Sequence, residues 1–338
     1  MRNKAKQLVK NVFLVLITIV ATAKWSNGQS LSDKTAASFR SMSVVSDDVI
    51  WAGGSGGTII RSQDGAKSWE VFIIDSKLDF RGVHGFDSQN AVVMSAGEAQ
   101  TGAAKIYKTT DGGKNWNIVF ETTQMGVFLD CLKFKDKKTG YILGDPIDGK
   151  PYVLKTTDGG SSWERINPEL FPDVIEGEAS FAASNSNISV YKKRVLFSTQ
   201  SRVFISEDNG TSWQVSQTPF KQGKTSGIFG LYFLSKKRGF AVGGDYVDDK
   251  AEYLNIAQTF DGGNTWTSTK TAKPLGLKES VWQSAENEFF IVGTSGISKS
   301  IDNGKTWQAV STKPFHVIQC GKANCYAIGG KGRFIVLK

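Results

Sequence analysis

Four carboxylates in the 338-residue sequence stand where they could do acid–base chemistry, because each adjoins a predicted strand instead of a loop tip. A pair of such groups can serve as general acid and as base or nucleophile at a glycosidic bond. Two of the four would then be catalytic residues of a glycoside hydrolase or lyase. The candidates are Asp130, Asp145, Glu178 and Asp245.

A second interpretation makes the same region a binding site. Two arginines begin predicted inner strands near these acids, which suggests an acidic cluster with two guanidinium groups at its rim. The alternative for each residue is a solvated loop charge or a turn former. The predicted binding residues are Arg40, Arg81, Asp145, Glu178, Asp245 and Tyr246.

No metal or cofactor is expected. The two histidines, His84 and His316, lie at no ligand spacing with a cysteine or an acid pair. A dinucleotide fingerprint, a C-x-x-C pair and a haem motif are all missing from the sequence. Cys320 and Cys325 flank a predicted hairpin turn, so a local disulfide is geometrically plausible, and Cys131 would then be unpaired.

Residues 1–23 have the parts of a secretory signal. Basic residues come first, and an apolar stretch from Val12 to Ala23 ends in the small-x-small pattern Ala21-Thr22-Ala23. This stretch is shorter than the roughly 20 residues that span a bilayer, although an uncleaved anchor is the alternative. The sequence therefore predicts a periplasmic or secreted protein without a stable membrane span.

Charge argues against nucleic acid as a partner. The formal net charge of +9 includes four basic residues of the predicted signal. Without them, 37 Lys and Arg face 32 Asp and Glu, a net charge of +5, and the basic residues form no run longer than three.

The most specific signal is an eight-residue repeat, Ser/Thr-x-Asp-x-Gly-x-Ser/Thr/Asn-Trp, which occurs six times, with Ala66 replacing the glycine in the first copy. The Asp can accept backbone N–H bonds of a turn, the glycine allows positive φ, and the Trp can pack over a sheet. These acids and aromatics are therefore interpreted as structural. They are Asp64, Trp69, Asp111, Trp116, Asp158, Trp163, Asp208, Trp213, Asp261, Trp266, Asp302 and Trp307.

The repeat spacing predicts the architecture. Copies recur about every 40–50 residues, which is typical of four-stranded propeller blades. The sequence predicts an all-β, seven-bladed β-propeller of four-stranded antiparallel blades over residues 38–338, with six or eight blades as alternatives. Residues 315–338 supply only three strands, so residues 24–37, and 31–37 in particular, are expected to close the last blade and leave no exposed edge. We expect a monomer.

Two families share these motifs. The boxes at 109–116 and 156–163 resemble the Asp boxes of bacterial sialidases. The fuller unit, from Phe80-Arg81-Gly82-Val83 through Gly97 to its box, is similar to the seven-bladed photosystem II stability and assembly factor family, over nearly the whole mature chain. Non-photosynthetic members are often labelled oxidoreductases, but these residues support no redox chemistry. The resemblance implies the architecture and not a specific activity.

Sialidase chemistry is disfavoured because it requires an arginine triad on the substrate carboxylate. Arg40 could supply one member. Ser180 and Phe229 stand where the fourth and fifth inner strands are expected to begin, in place of further arginines.

Long predicted loops fall on one face of the propeller, which marks that face as a binding surface. Two functions follow from it. One is an exported, non-catalytic binding or assembly scaffold for a protein or glycan partner, and the other is the hydrolase or lyase. The long segments are 96–104, 145–151, 168–179, 218–227 and 245–255.

Overall fold

Seven antiparallel sheets make up the protein, in a computed structural model that describes residues 31–251, 254–269 and 271–337. The sheets form a β-propeller, so the predicted fold class is confirmed. In every blade the strands pair in chain order from the innermost to the outermost.

Blades 1 to 4 each contain four strands. Their strands are β1 (Phe39–Val44), β2 (Ile50–Gly54), β3 (Thr58–Ser62) and β4 (Glu70–Ile73); β5 (Asp79–Gly85), β6 (Ala91–Ala96), β7 (Lys105–Thr109) and β8 (Asn117–Glu121); β9 (Leu129–Phe134), β10 (Gly140–Ile147), β11 (Lys150–Thr156) and β12 (Glu164–Arg165); β13 (Ile188–Tyr191), β14 (Arg194–Ser198), β15 (Arg202–Ser206) and β16 (Gln214–Gln217).

Blades 5 and 6 also contain four strands, and the described part of blade 7 contains three. Their strands are β17 (Ser226–Phe233), β18 (Gly239–Asp245), β19 (Ile256–Thr259) and β20 (Thr267–Ser268); β21 (Ser280–Ala285), β22 (Glu288–Gly293), β23 (Gly296–Ser300) and β24 (Gln308–Ser311); β25 (Val317–Cys320), β26 (Cys325–Ile328) and β27 (Phe334–Leu337).

Every copy of the repeat forms the turn from the third to the fourth strand of its blade. In blade 2, the Thr109 hydroxyl donates to Asp111 (2.9 Å) and accepts the Gly113 N–H (3.0 Å), while Asp111 accepts the Asn115 N–H (3.0 Å). Bonds from the Asn115 backbone and side chain lower the pKa of Asp111 to about 2. All six turns share this network, which explains the invariant spacing.

The tryptophans of the repeat pack against their blades to different depths. Trp69, Trp163 and Trp307 are buried, whereas the other three are partly exposed. The Trp116 indole donates to the Gly113 carbonyl (3.1 Å). The Trp163 indole N–H has no partner among the residues that the structure describes.

The first and last described segments of the chain meet between blades 7 and 1. Residues 31–37 contain a 3₁₀ turn, Leu31–Asp33, and no strand. The Gly332 N–H donates to the Ala37 carbonyl (2.9 Å), and Lys34 Nζ donates to the Trp69 carbonyl (2.9 Å). The expectation that 31–37 is the outer strand of blade 7 is therefore wrong, because Leu31 is buried in the core between the two blades instead.

Residues 24–30 and the predicted signal at 1–23 lie outside the described residues. The boundaries at residues 23 and 37 therefore stay predictions. No helix in the described ranges is long and apolar enough to cross a membrane.

The cysteines form one disulfide and leave one free thiol, as the predicted hairpin suggested. Cys320 and Cys325 are directly opposite each other on β25 and β26 and form a disulfide. Cys131 is a buried free thiol on β9.

Candidate functional site

The strand order fixes which connections emerge on each face. The repeat turns and the first-to-second strand turns lie on one face, here called the box face. The second-to-third strand turns and the links between blades lie on the other, here called the long-loop face. All five long segments are on the long-loop face, together with the link at 269–279, which the sequence analysis did not single out.

Four inner strands carry a β-bulge near the long-loop face. On β1, Phe39 pairs with Gly54 and Ser41 with Gly53, so Arg40 is the extra residue. The same shift in β5, β9 and β17 leaves one residue without a partner and can re-aim its side chain. The bulged residues are Arg40, Arg81, Asp130 and Phe229.

These four side chains line one depression of about 470 Å³, here called the central pocket. Asp145, at the long-loop end of β10, joins them, as does Tyr246, which directly follows β18. The structure therefore brings together five predicted site residues: Arg40, Arg81, Asp130, Asp145 and Tyr246.

The floor of the pocket is an irregular segment, residues 180–187, here called the plug. The Ala183 carbonyl accepts from Arg40 (3.3 Å) and the Ala182 carbonyl from Arg81 (3.2 Å). The Asn185 side chain accepts the Leu132 N–H (2.7 Å). The plug therefore joins blades 1, 2 and 3, and a bond from the Leu231 N–H to the Ser186 carbonyl (2.7 Å) adds blade 5.

The predicted start of the fourth inner strand is wrong. The fourth inner strand begins at Ile188, not at Ser180. Ser180 instead donates its N–H to Asp145 (2.9 Å) and lines the central pocket. This stretch bonds to several blades across the ring instead of pairing as a strand of blade 4.

Two carboxyl groups in the pocket have raised pKa values. Burial raises the pKa of Asp130 well above its usual value, the Asp145 charge adds to the rise, and Arg81 opposes it. Burial also raises the pKa of Asp145, against the bond from Ser180. Asp130 is only 1 % exposed, and its Oδ2 has no hydrogen-bond partner among the described residues.

The two arginines keep hydrogen-bonding capacity for a ligand. Arg40 Nη1 lies 3.4 Å from Glu279 Oε1, and Glu279 Oε2 lies 2.7 Å from His316 Nδ1. Arg81 Nε donates to Asp79 (2.8 Å). Nη2 of both arginines bonds to none of the described residues, so each guanidinium presents free donors beside the pocket.

Three aromatic side chains, here called the aromatic wall, also line the pocket. Phe181 of the plug stacks on Phe229 with ring centroids 4.1 Å apart. Tyr246 meets both rings edge-on, at 6.1 and 6.5 Å, and is 53 % exposed. The pocket therefore combines cationic donors with an apolar surface.

The other two candidate acids, Glu178 and Asp245, form hydrogen bonds with groups outside the central pocket. Glu178 is buried and bonds to Arg202, Thr199 and the Ile175 N–H, so its carboxylate is not presented to the pocket. Asp245 accepts the Val247 N–H (2.8 Å) and forms a turn. Burial acts to raise the pKa of Asp245, but the hydrogen bonds from the backbone N–H groups of Val247 and Asp248 outweigh it, so the pKa is lowered.

Sequence reasoning missed Glu279 and the plug. The bulged positions share the pattern apolar–x–small, as in Phe80-Arg81-Gly82 and Ile228-Phe229-Gly230. Lys278-Glu279-Ser280 stands at the corresponding place before β21, with a lysine in place of the apolar residue, so aligning the inner strands could have found Glu279. Within the described ranges no group of His, Cys, Asp and Glu could hold a metal ion.

Fold and pocket together define a seven-bladed β-propeller with a ligand-sized central depression. The family described as photosynthesis system II assembly factor YCF48 matches residues 7–132. This match confirms the resemblance to the photosystem II assembly factor family. No curated protein is significantly similar to the chain in sequence.

Solved structures agree on the fold. YCF48 bound to D1 peptide superposes with a TM-score of 0.64 at 17% identity, over 90% of this chain and 94% of that one. YCF48 from Cyanidioschyzon merolae gives 0.65 at 14% identity, over 90% and 96%. The WD40 β-propeller domain of Doa1 gives 0.60 at 10% identity, over 90% and 94%.

Proposed function

We propose that the chain is a non-catalytic binding scaffold that holds a segment of a partner protein in the central pocket. The observation that carries this proposal is the pairing of two guanidinium groups, Arg40 and Arg81, with the aromatic wall in one open depression. Arginine donors suit carboxylates and peptide carbonyls, and aromatic rings bury apolar side chains at protein interfaces. The structure of YCF48 with a D1 peptide supports a peptide as the ligand class.

Exposed apolar residues around the pocket favour a protein over a glycan. Val247 is 72% exposed next to Tyr246, and Met125 is 78% exposed in the link that leads to Phe128 of the pocket. Exposed apolar side chains beside a pocket are typical of interaction sites. A glycan partner is the alternative.

Hydrolysis is less well supported by this geometry. Of the four candidate acids, only Asp130 and Asp145 share the pocket, and Asp130 Oδ2 has almost no accessible surface. Among the described pocket residues the only arginines are Arg40 and Arg81, which is short of a sialidase triad.

We propose that the protein works in the periplasm or outside the cell. The signal-like residues 1–23 motivate this, and the disulfide between Cys320 and Cys325 suits an oxidising compartment. N-terminal sequencing of exported material is expected to begin after Ala23 or near Gln29. A membrane-retained product that still begins at Met1 would contradict export.

Binding can be tested by screening a displayed random-peptide library on the mature protein and measuring the enriched peptides by fluorescence anisotropy. Arg81→Met and Asp145→Asn should each weaken binding by about 1–3 kcal/mol, as interface residues do. Lys137→Met, an exposed lysine on the box face, is the control and should leave affinity unchanged.

Chromogenic glycosides measured in parallel separate the two functions. We expect no turnover. Glycoside turnover that collapses in Asp145→Asn while sugar binding persists would overturn the scaffold proposal in favour of the hydrolase.

A further inference from the structure

A second cavity lies in the channel on the other side of the plug. The central pocket is lined by plug residues 180–183, whereas this cavity of about 120 Å³, here called the lower cavity, is lined by plug residues 184–186. Three residues after the pocket positions Asp130, Phe229 and Glu279, the inner strands supply its walls with Lys133, Tyr232 and Trp282.

Lys133 has no counter-ion in this cavity. Its Nζ lies 5.4 Å from the centre of the Trp282 ring, and it makes no hydrogen bond or ion pair with any residue that the structure describes. Burial lowers the pKa of Lys133, as expected for a cation without a partner.

Neighbouring titratable groups do not supply a negative charge. Burial raises the pKa of the Cys131 thiol to about 12, so the thiol is neutral. His84 lies beside Lys133 on the next inner strand, and burial lowers the pKa of His84 to about 3, with the Lys133 charge adding to the effect. The imidazole is also neutral, so neither group gives the Lys133 ammonium an ion-pair partner.

The remaining walls offer one further donor and a limit on size. Ser189 lines the cavity, and its hydroxyl makes no hydrogen bond within the described residues. Gln319 is already fixed by bonds to the Met42 carbonyl (2.7 Å) and the Val44 N–H (3.0 Å). A volume of about 120 Å³ holds only a few waters or one small ion.

We propose that the lower cavity binds a small oxyanion, whose charge Lys133 neutralises and whose oxygen accepts from Ser189. The ligand is either a free inorganic anion such as phosphate or sulfate, or a short carboxylate such as acetate. Tyr232 and Trp282, whose ring centroids are 5.2 Å apart, also line the lower cavity. This site is separate from the peptide pocket, so neither proposal depends on the other.

The test is a calorimetric titration of the mature protein with sodium phosphate, sulfate and acetate. Ionic strength is held constant with gluconate, which is too large for the cavity. Saturable binding of at least one of the three anions is expected, and the one that binds most tightly distinguishes the inorganic from the carboxylate source.

Lys133→Met should abolish this binding, because it removes the only cationic side chain among the described residues that line the cavity. Lys135→Met is the matched control. This lysine directly follows β9, but its Nζ donates to the Asn209 side chain (2.9 Å), so its replacement should leave anion binding unchanged. If Lys133→Met fails to fold, Ser189→Ala should weaken binding roughly two- to tenfold. No saturable binding by any of the anions, or binding that survives Lys133→Met, would overturn the proposal.

Discussion

Lys278 makes the stability of the protein depend on pH. This lysine lies in the link between blades 5 and 6, is fully buried, and donates to the Ser295 hydroxyl (2.8 Å). It forms no ion pair with any carboxylate of the described chain. Burial lowers the pKa of Lys278 from 10.5 to about 7.

The sign of the effect follows from where the proton is held. Between about pH 7 and pH 10.5 the unfolded chain binds a proton that the folded chain lacks, so this group makes stability rise with pH across that window. Its destabilising effect is largest below pH 7 and disappears above pH 10.5. At about 1.4 kcal/mol per pKa unit, the full shift corresponds to about 4–5 kcal/mol.

Replacing Lys278 with methionine should therefore stabilise the protein at low pH. Methionine keeps a similar length without a charge, and the lost bond to Ser295 offsets about 1 kcal/mol of the gain. We expect Lys278→Met to be about 2–4 kcal/mol more stable at about pH 6, with the advantage vanishing near pH 10.5.

Urea unfolding of the wild type and the variant across this pH range measures the difference. Lys299→Met, which removes a partly exposed lysine paired with Glu288 (2.8 Å) in blade 6, is the control. Its effect on stability should stay nearly constant over the same range. A difference for Lys278→Met that does not change with pH, or a variant less stable than the wild type at low pH, would refute the reasoning.

Three further predictions concern stability. Ala66 holds φ at +67°, so Ala66→Gly should raise the free energy of unfolding by about 1 kcal/mol; a lower thermal midpoint would contradict this. Trp163→Ala should lower it by about 3–5 kcal/mol because a buried aromatic is lost; a loss below about 1 kcal/mol in urea unfolding would show that the site collapses. Glu178→Gln should destabilise by about 3–5 kcal/mol, since Arg202 loses its buried partner, while peptide affinity stays unchanged in anisotropy measurements; a stable variant with weakened binding would return Glu178 to the binding site.

The sequence by itself determined the blades. Each repeat closes its turn through bonds among eight neighbouring residues, so its chemistry is local and visible as spacing. Loop lengths likewise identified the long-loop face, because the alternation of strands fixes where each loop emerges.

Tertiary structure alone decided which of the marked residues meet. A bulge in β9 and the end of β10 bring Asp130 and Asp145 into one pocket. Glu178 instead pairs with Arg202, which lies 24 positions further along the chain. The plug looks like an ordinary link in the sequence, yet its bonds reach residues as far as 143 positions away, to Arg40. Such contacts depend on how the ring closes, because a segment without repeat or periodicity is held by partners that adjoin it only after the blades have assembled.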